Sequence, residues 1–207
     1  MQRYEKKLIL RRLVCIFFVF LQPEMSMEDV IRQTVEALQR GGTILYPTDT
    51  IWGIGCDARN ADAVERLYAI KERDRSKSML VLVAGSRWSV AGGERPTTYI
   101  LPHKIWHDEM HLEVADNLPA DDGTLGVRVP QHAFCQEVLQ RLGAPLVSTS
   151  ANLSGRPSPI LYNDIEEELR RRVGYCVPPL AEFESHETRG SRIVKVNPDG
   201  TETVIRP

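Results

Sequence analysis

The chain has 207 residues, 42% hydrophobic and 26% charged, with a formal net charge of −2 at pH 7. That length suits one substantial globular core, and four widely spaced cysteines (Cys15, Cys56, Cys135, Cys176) without a Cys-x-x-Cys argue against a zinc-finger module and for reduced thiols in a cytosolic protein. Residues 1–25 hold five of the 26 basic and two of the 28 acidic residues, so the rest of the chain is acidic, which speaks against a dedicated nucleic-acid binder.

The N-terminus is anomalous. Arg3, Lys6, Lys7, Arg11 and Arg12 precede the apolar run Leu13 to Leu21, which imitates a signal peptide. Nine apolar residues cannot span a bilayer, and no Ala-x-Ala-like cleavage site follows. Met25 and Met27 stand just before an expected first helix, Glu28 to Gln39, so residues 1–25 read as an extension from a misassigned start, ahead of a single domain over 26–207. An export signal or peripheral anchor is the sharper alternative; no stable membrane association is expected.

Gly42-Thr43-Ile44-Leu45-Tyr46-Pro47-Thr48-Asp49-Thr50-Ile51-Trp52-Gly53-Ile54-Gly55 runs from a strand into hydroxyls and resumes as a second, glycine-punctuated strand. A helix follows, with Asn60 as N-cap and Val64, Leu67 and Tyr68 on one face. Lys71 and Arg73 then share one side of an extended segment leading into the strand Met79 to Val83, where two cations can hold one anion. His103, His107 and His111 fall at i, i+4 and i+8, a credible metal face on a helix. The sequence Leu101-Pro102-His103-Lys104-Ile105-Trp106 gives no clean helical pattern, however, so no metal site is expected.

The most informative stretch is Ser148-Thr149-Ser150-Ala151-Asn152-Leu153-Ser154-Gly155, directly after the apolar run Pro145-Leu146-Val147. It reads as a buried strand ending in a polar loop, and alternation places Ser148, Ser150 and Asn152 on one side as a rack of neutral donors and acceptors for a phosphate or carboxylate. Asn163 to Gly174 reads as one helix with an acidic first turn and a basic last turn. Ser191 to Val196 and Thr203 to Arg206 flank Asn197-Pro198-Asp199-Gly200 as a hairpin. The chain has no Gly-x-x-x-x-Gly-Lys-Ser/Thr loop and no defensible Ser-His-Asp or Cys-His pairing.

In this order, Tyr46-Pro47-Thr48-Asp49-Thr50, Lys71-x-Arg73 and Ser148-Thr149-Ser150-Ala151-Asn152 resemble the YrdC family, the threonylcarbamoyl-adenylate synthases, over roughly Glu28 to Pro207. The resemblance implies an α/β fold, a strongly twisted mixed sheet with flanking helices around a deep cleft. It implies condensation of L-threonine, bicarbonate and ATP to threonylcarbamoyl-AMP and pyrophosphate, with ATP as substrate and Mg2+ carried with it. The product would pass to a downstream tRNA-modifying transferase complex that forms threonylcarbamoyladenosine, and a contact with tRNA or double-stranded RNA is consistent with the family.

By the same resemblance Lys71 and Arg73 are the catalytic charges. Thr48, Thr50, Ser148, Ser150, Asn152, Ser191 and Arg206 bind threonine and nucleotide, although Gly190 and Arg192 stand where the family has proline and threonine around Ser191. The domain is expected to be shortened around 84–95, where a helix or two is missing against the family pattern. The alternative function is an RNA- or nucleotide-binding protein of the same fold without synthase activity. Carbamoyl transfer within a larger hydrogenase-maturation enzyme is disfavoured, since zinc-finger-like cysteines and further domains are lacking.

Overall fold

The computed structural model describes residues 25–74, 79–85, 95–180 and 189–207. The N-terminal extension, apart from Met25, and most of the expected shortening lie outside these residues.

Helix α1 (Met27–Gln39) starts at Ser26, whose hydroxyl accepts from the Asp29 amide at 3.1 Å, with Glu28 and Asp29 in the first turn where the helix dipole favours them. Strands β1 (Ile44–Tyr46) and β2 (Gly53–Gly55) follow. Helix α2 (Ala61–Lys71) is capped by the Asn60 side chain, 2.9 Å from the Ala63 amide, and buries Val64, Leu67 and Tyr68 as their spacing requires. Next come β3 (Leu80–Leu82), β4 (Thr97–Leu101), β5 (Leu125–Arg128), α3 (Ala133–Leu142) and β6 (Leu146–Ser150). The chain closes with α4 (Glu167–Arg172), β7 (Tyr175–Cys176), β8 (Arg192–Val196) and β9 (Glu202–Arg206).

The strands form one nine-stranded mixed sheet in the order β7-β1-β2-β6-β3-β5-β4-β8-β9. Pairs β1–β7, β3–β5 and β4–β8 are parallel and the others antiparallel. Alternation along the strands separates two cores, because successive side chains point to opposite faces. Val81 and Val147 face α2 and α4, while their neighbours Leu82 and Leu146 face α1 and α3 with Val30, Leu38, Phe134 and Leu139. At Gly55 an added Cβ would lie 1.9 Å from the Val147 carbonyl oxygen, so this β2 position next to β6 requires glycine.

Three local expectations fail. Asn163 to Gly174 is not one helix: a 3-10 turn at Tyr162–Asp164 ends in extended Ile165 (ψ 124°), and α4 begins only at Glu167. Ile165 breaks the helix because its side chain, 2% exposed, is pulled into the core under the sheet. The segment after Pro102, expected to be irregular, is a wide helical turn at Lys104–Glu109. Pro102 opens it by supplying the carbonyl for the Ile105 and Trp106 amides, a place where a proline's missing N–H costs nothing, and the Met110 amide closes on the Ile105 carbonyl five residues back. Lys71, expected in an extended segment, is instead the last residue of α2. Glu72, in the left-handed region (φ 50°), turns the chain away. Among the described residues, no helix is long and apolar enough to cross a membrane.

Candidate functional site

A cleft of about 300 Å3 opens where β6, β3, β5, β4 and β8 lie side by side. Its floor is the hydroxyl end of β6. Antiparallel pairing sets Ser148 opposite Leu80 of β3 and Ser150 opposite Gly53 of β2, so the end of the strand opens onto the hollow between its neighbours. One wall is the loop between β1 and β2. There Thr48 donates to the Ile51 carbonyl at 2.8 Å, accepts from the Thr50 amide at 3.1 Å, and lies 3.0 Å from the Thr50 hydroxyl. Both threonines are 3% exposed, and their hydroxyls brace this loop.

The opposite wall comes from the C-terminal hairpin. Ser191 is held at its hydroxyl by Thr98 (2.7 Å), and its carbonyl accepts from Arg206 Nε (2.8 Å) and Nη2 (2.5 Å). A Cβ at Gly190 would come within 3.0 Å of the Arg206 guanidinium, so the small residue there lets the arginine lie against the backbone. Seven of the nine expected residues thus meet at the cleft: Thr48, Thr50, Arg73, Ser148, Ser150, Ser191 and Arg206.

Lys71 and Asn152 do not line the cleft. Because Lys71 ends α2, its side chain runs behind the floor, 1% exposed. Nζ donates to the carbonyls of Ser150 and Asn152, each at 2.5 Å, and to Asn152 Oδ1 at 3.1 Å. Asn152 leaves the rack because β6 ends at Ser150. The Asn152 amide turns back onto the Ser150 carbonyl, and its side chain donates to the carbonyls of Leu153 and Arg156. The lysine and asparagine form a buried knot that fixes the exit of β6. Burial first, and then the neighbouring Arg73 cation, push the Lys71 ammonium down to about 7. Arg73, past the left-handed turn, reaches the cleft instead, its guanidinium also lowered by burial.

The residue missed by sequence reasoning is Arg128. It is 5% exposed at the end of β5, with Nη2 2.7 Å from Asp49 Oδ1 and Nη1 3.2 Å from the Thr50 hydroxyl. Its Nε is buried without a hydrogen-bond partner among the described residues. A signal was available: a single cation inside Leu125-Gly126-Val127-Arg128-Val129 cannot be buried unless a carboxylate or a ligand meets it. Asp49 is the carboxylate, and it is held in turn by the Gln131 amide at 2.9 Å.

Arg73, Arg128 and Arg206 therefore converge from three distant segments. Burial lowers the Arg206 guanidinium, with Arg95 and Arg128 adding repulsion. No Asp or Glu stands among the described residues lining the cleft. An arrangement of clustered cations and neutral hydroxyls is built for anions, and a divalent metal would enter it on phosphates rather than on protein ligands.

Comparison with known proteins agrees with this geometry. Residues 36–207 match the model of the Sua5/YciO/YrdC domain, described as "Telomere recombination". A threonylcarbamoyl-AMP synthase of Xanthomonas campestris pv. campestris is 38% identical over 164 residues, covering 70% of this chain and 87% of the relative. Among solved structures, P. abyssi Sua5 complexed with L-threonine superposes with a TM-score of 0.70 at 22% identity over 89% of this chain. That protein is larger, and the chain spans only 55% of it. E. coli YciO superposes at 0.64 with 22% identity, covering 87% of this chain and 89% of its own. In sequence and in fold, the chain belongs to the Sua5/YciO/YrdC family.

Proposed function

We propose that this protein is an L-threonylcarbamoyladenylate synthase, a nucleotidyltransferase that condenses L-threonine, bicarbonate and ATP to threonylcarbamoyl-AMP and pyrophosphate for threonylcarbamoyladenosine modification of tRNA. The observation that carries this reading is the convergence of Arg73, Arg128 and Arg206 on a hydroxyl-lined cleft that no Asp or Glu lines among the described residues. Every reactant except carbon dioxide carries negative charge. Catalysis then consists of holding charges together and stabilising those that develop, with no covalent enzyme intermediate.

In this reading the threonine amine adds to carbon dioxide derived from bicarbonate, forming the N–C bond of a carbamate and losing one proton. A carbamate oxygen attacks the α-phosphorus of ATP, the new O–P bond forms, and the bond to the β-phosphate oxygen breaks to release pyrophosphate. Arg128, oriented by Asp49 and Thr50 and with Nε still to be satisfied, is placed for the amino-acid carboxylate. Arg73 and Arg206, both lining the cleft, suit the phosphates, and the Ser148 and Ser150 hydroxyls suit the carbamate and α-phosphate oxygens. Lys71 and Asn152 act on the reaction by fixing Ser150. Mg2+ accompanies ATP and lowers the charge on the leaving pyrophosphate.

The product is a labile mixed anhydride, so a downstream transferase complex that delivers it to tRNA is the expected partner. The test is incubation of the full chain with ATP, magnesium, bicarbonate and L-threonine, followed by mass detection of threonylcarbamoyl-AMP. Formation of that adenylate only when all four are present is the expected result. Its absence, together with tight tRNA or double-stranded RNA binding that weakens steeply with salt, would favour a binding protein of the same fold instead.

A further inference from the structure

Away from the cleft, the turn after β4 brings together groups that the synthase reaction does not use. His103 and His107 stack with ring centroids 4.5 Å apart and planes inclined by 26°, and His107 Nδ1 lies 2.8 Å from Asp108 Oδ1. One donor atom from each of the three residues falls within 4.8 Å of the others. All three are exposed to solvent. Their base is firm: Trp106 is 4% exposed, its indole N–H donates to the Gly123 carbonyl at 3.0 Å, and its ring meets both imidazoles edge-on. His111, in the left-handed region (φ 53°), turns back to line the same hollow of about 460 Å3 as His103 and His107, together with Glu113 and Asp116.

We propose that His103, His107 and Asp108 form a surface site for a borderline-soft divalent cation of the Zn2+, Ni2+ or Cu2+ class. Two imidazoles four residues apart on a helical turn with one carboxylate are the donor set these ions select over Mg2+ or Ca2+. The ion replaces the proton between His107 Nδ1 and Asp108 Oδ1. His107 Nδ1 and Asp108 Oδ1, 2.8 Å apart, are then neighbouring ligands of that ion. Donors each about 2.1 Å from a tetrahedral ion stand about 3.4 Å apart, so rotation of the exposed side chains must close the widest gap, of up to 4.8 Å, by roughly an ångström or somewhat more. Water completes the coordination, with His111 on the rim as a further donor.

Calorimetric titration of the reduced, chelator-treated full chain with ZnCl2 and with NiCl2 tests the site, beside His103→Ala, His107→Ala, Asp108→Asn, the double variant His103→Ala/His107→Ala, and Cys176→Ser. The expected result is saturable uptake of one equivalent by the wild type, weakened about tenfold or more in each single variant of the three ligands and unchanged in Cys176→Ser. Because the ligands are exposed, these variants fold, and matching melting curves without metal verify it. Uptake that persists undiminished in the double histidine variant would overturn the assignment, as would the lack of any saturable uptake up to about 1 mM metal.

Discussion

The knot behind β6 and the arginine-lined cleft in front of it lie a few residues apart in sequence, yet they hold charge in opposite ways. Behind the strand, one ammonium is sealed from water and every nearby oxygen points at it. In front, guanidinium groups line an opening and repel one another. A cation enclosed by backbone carbonyls serves the fold, because removing it strands those acceptors. A cation that reaches an open hollow, as Arg73 does, keeps its charge available to a ligand. Lys71 and Arg73, which look like twins in the sequence, fall on opposite sides of this divide.

The largest expected effect comes from emptying the knot. Lys71→Met keeps most of the length of the side chain but leaves the Asn152 carbonyl and amide oxygen unsatisfied and takes one of two donors from the Ser150 carbonyl, at about 3–5 kcal/mol of stability. Urea denaturation should show the fall in midpoint. A stable variant that has lost only turnover would place Lys71 in the cleft and erase the contrast.

Arg73→Ala should do the reverse. Its melting temperature stays near wild type while kcat/KM drops by about 2–4 kcal/mol of transition-state stabilisation, read from steady-state adenylate formation. A destabilised variant with normal turnover would make Arg73 a structural ion-pair partner.

A third expectation sharpens the comparison through pH. Lys71 is lowered from its ordinary 10.5 to about 7, so between those values the folded chain binds fewer protons than the unfolded one. Stability therefore rises with pH across that window and is flat with respect to this group below about 7. Denaturation midpoints from pH 6.5 to 9.5 should show the rise in the wild type and its loss in Lys71→Met. An identical slope in both would assign the linkage to other groups. The smallest effect concerns substrate choice: serine in place of threonine lacks one methyl group and should lose only about 1–3 kcal/mol in kcat/KM.

The ordered motifs made the cleft legible from sequence because strand ends rich in hydroxyls have few other uses. Together with the C-terminal hairpin they brought Thr48, Thr50, Arg73, Ser148, Ser150, Ser191 and Arg206 to one opening. The failures share a cause, in that each turned on where an element ends. Helix α2 keeps Lys71 because the left-handed turn comes one residue later, at Glu72, and β6 releases Asn152 because its backbone folds back at Ser150. Such one-residue differences depend on tertiary contacts that periodicity does not carry. Arg128 escaped for a different reason: within an apolar strand its charge looked incidental, and its meaning lies in Asp49, 79 residues away.

The wall that carries Arg206 is built on β9, the last strand of the sheet among the described residues, with all five residues exposed and a register irregularity in its pairing with β8. An edge of this kind opens at little free-energy cost while the central strands stay closed. Amide protons of 202–206 would then exchange with solvent early, and a bound nucleotide held by Arg206 would slow them.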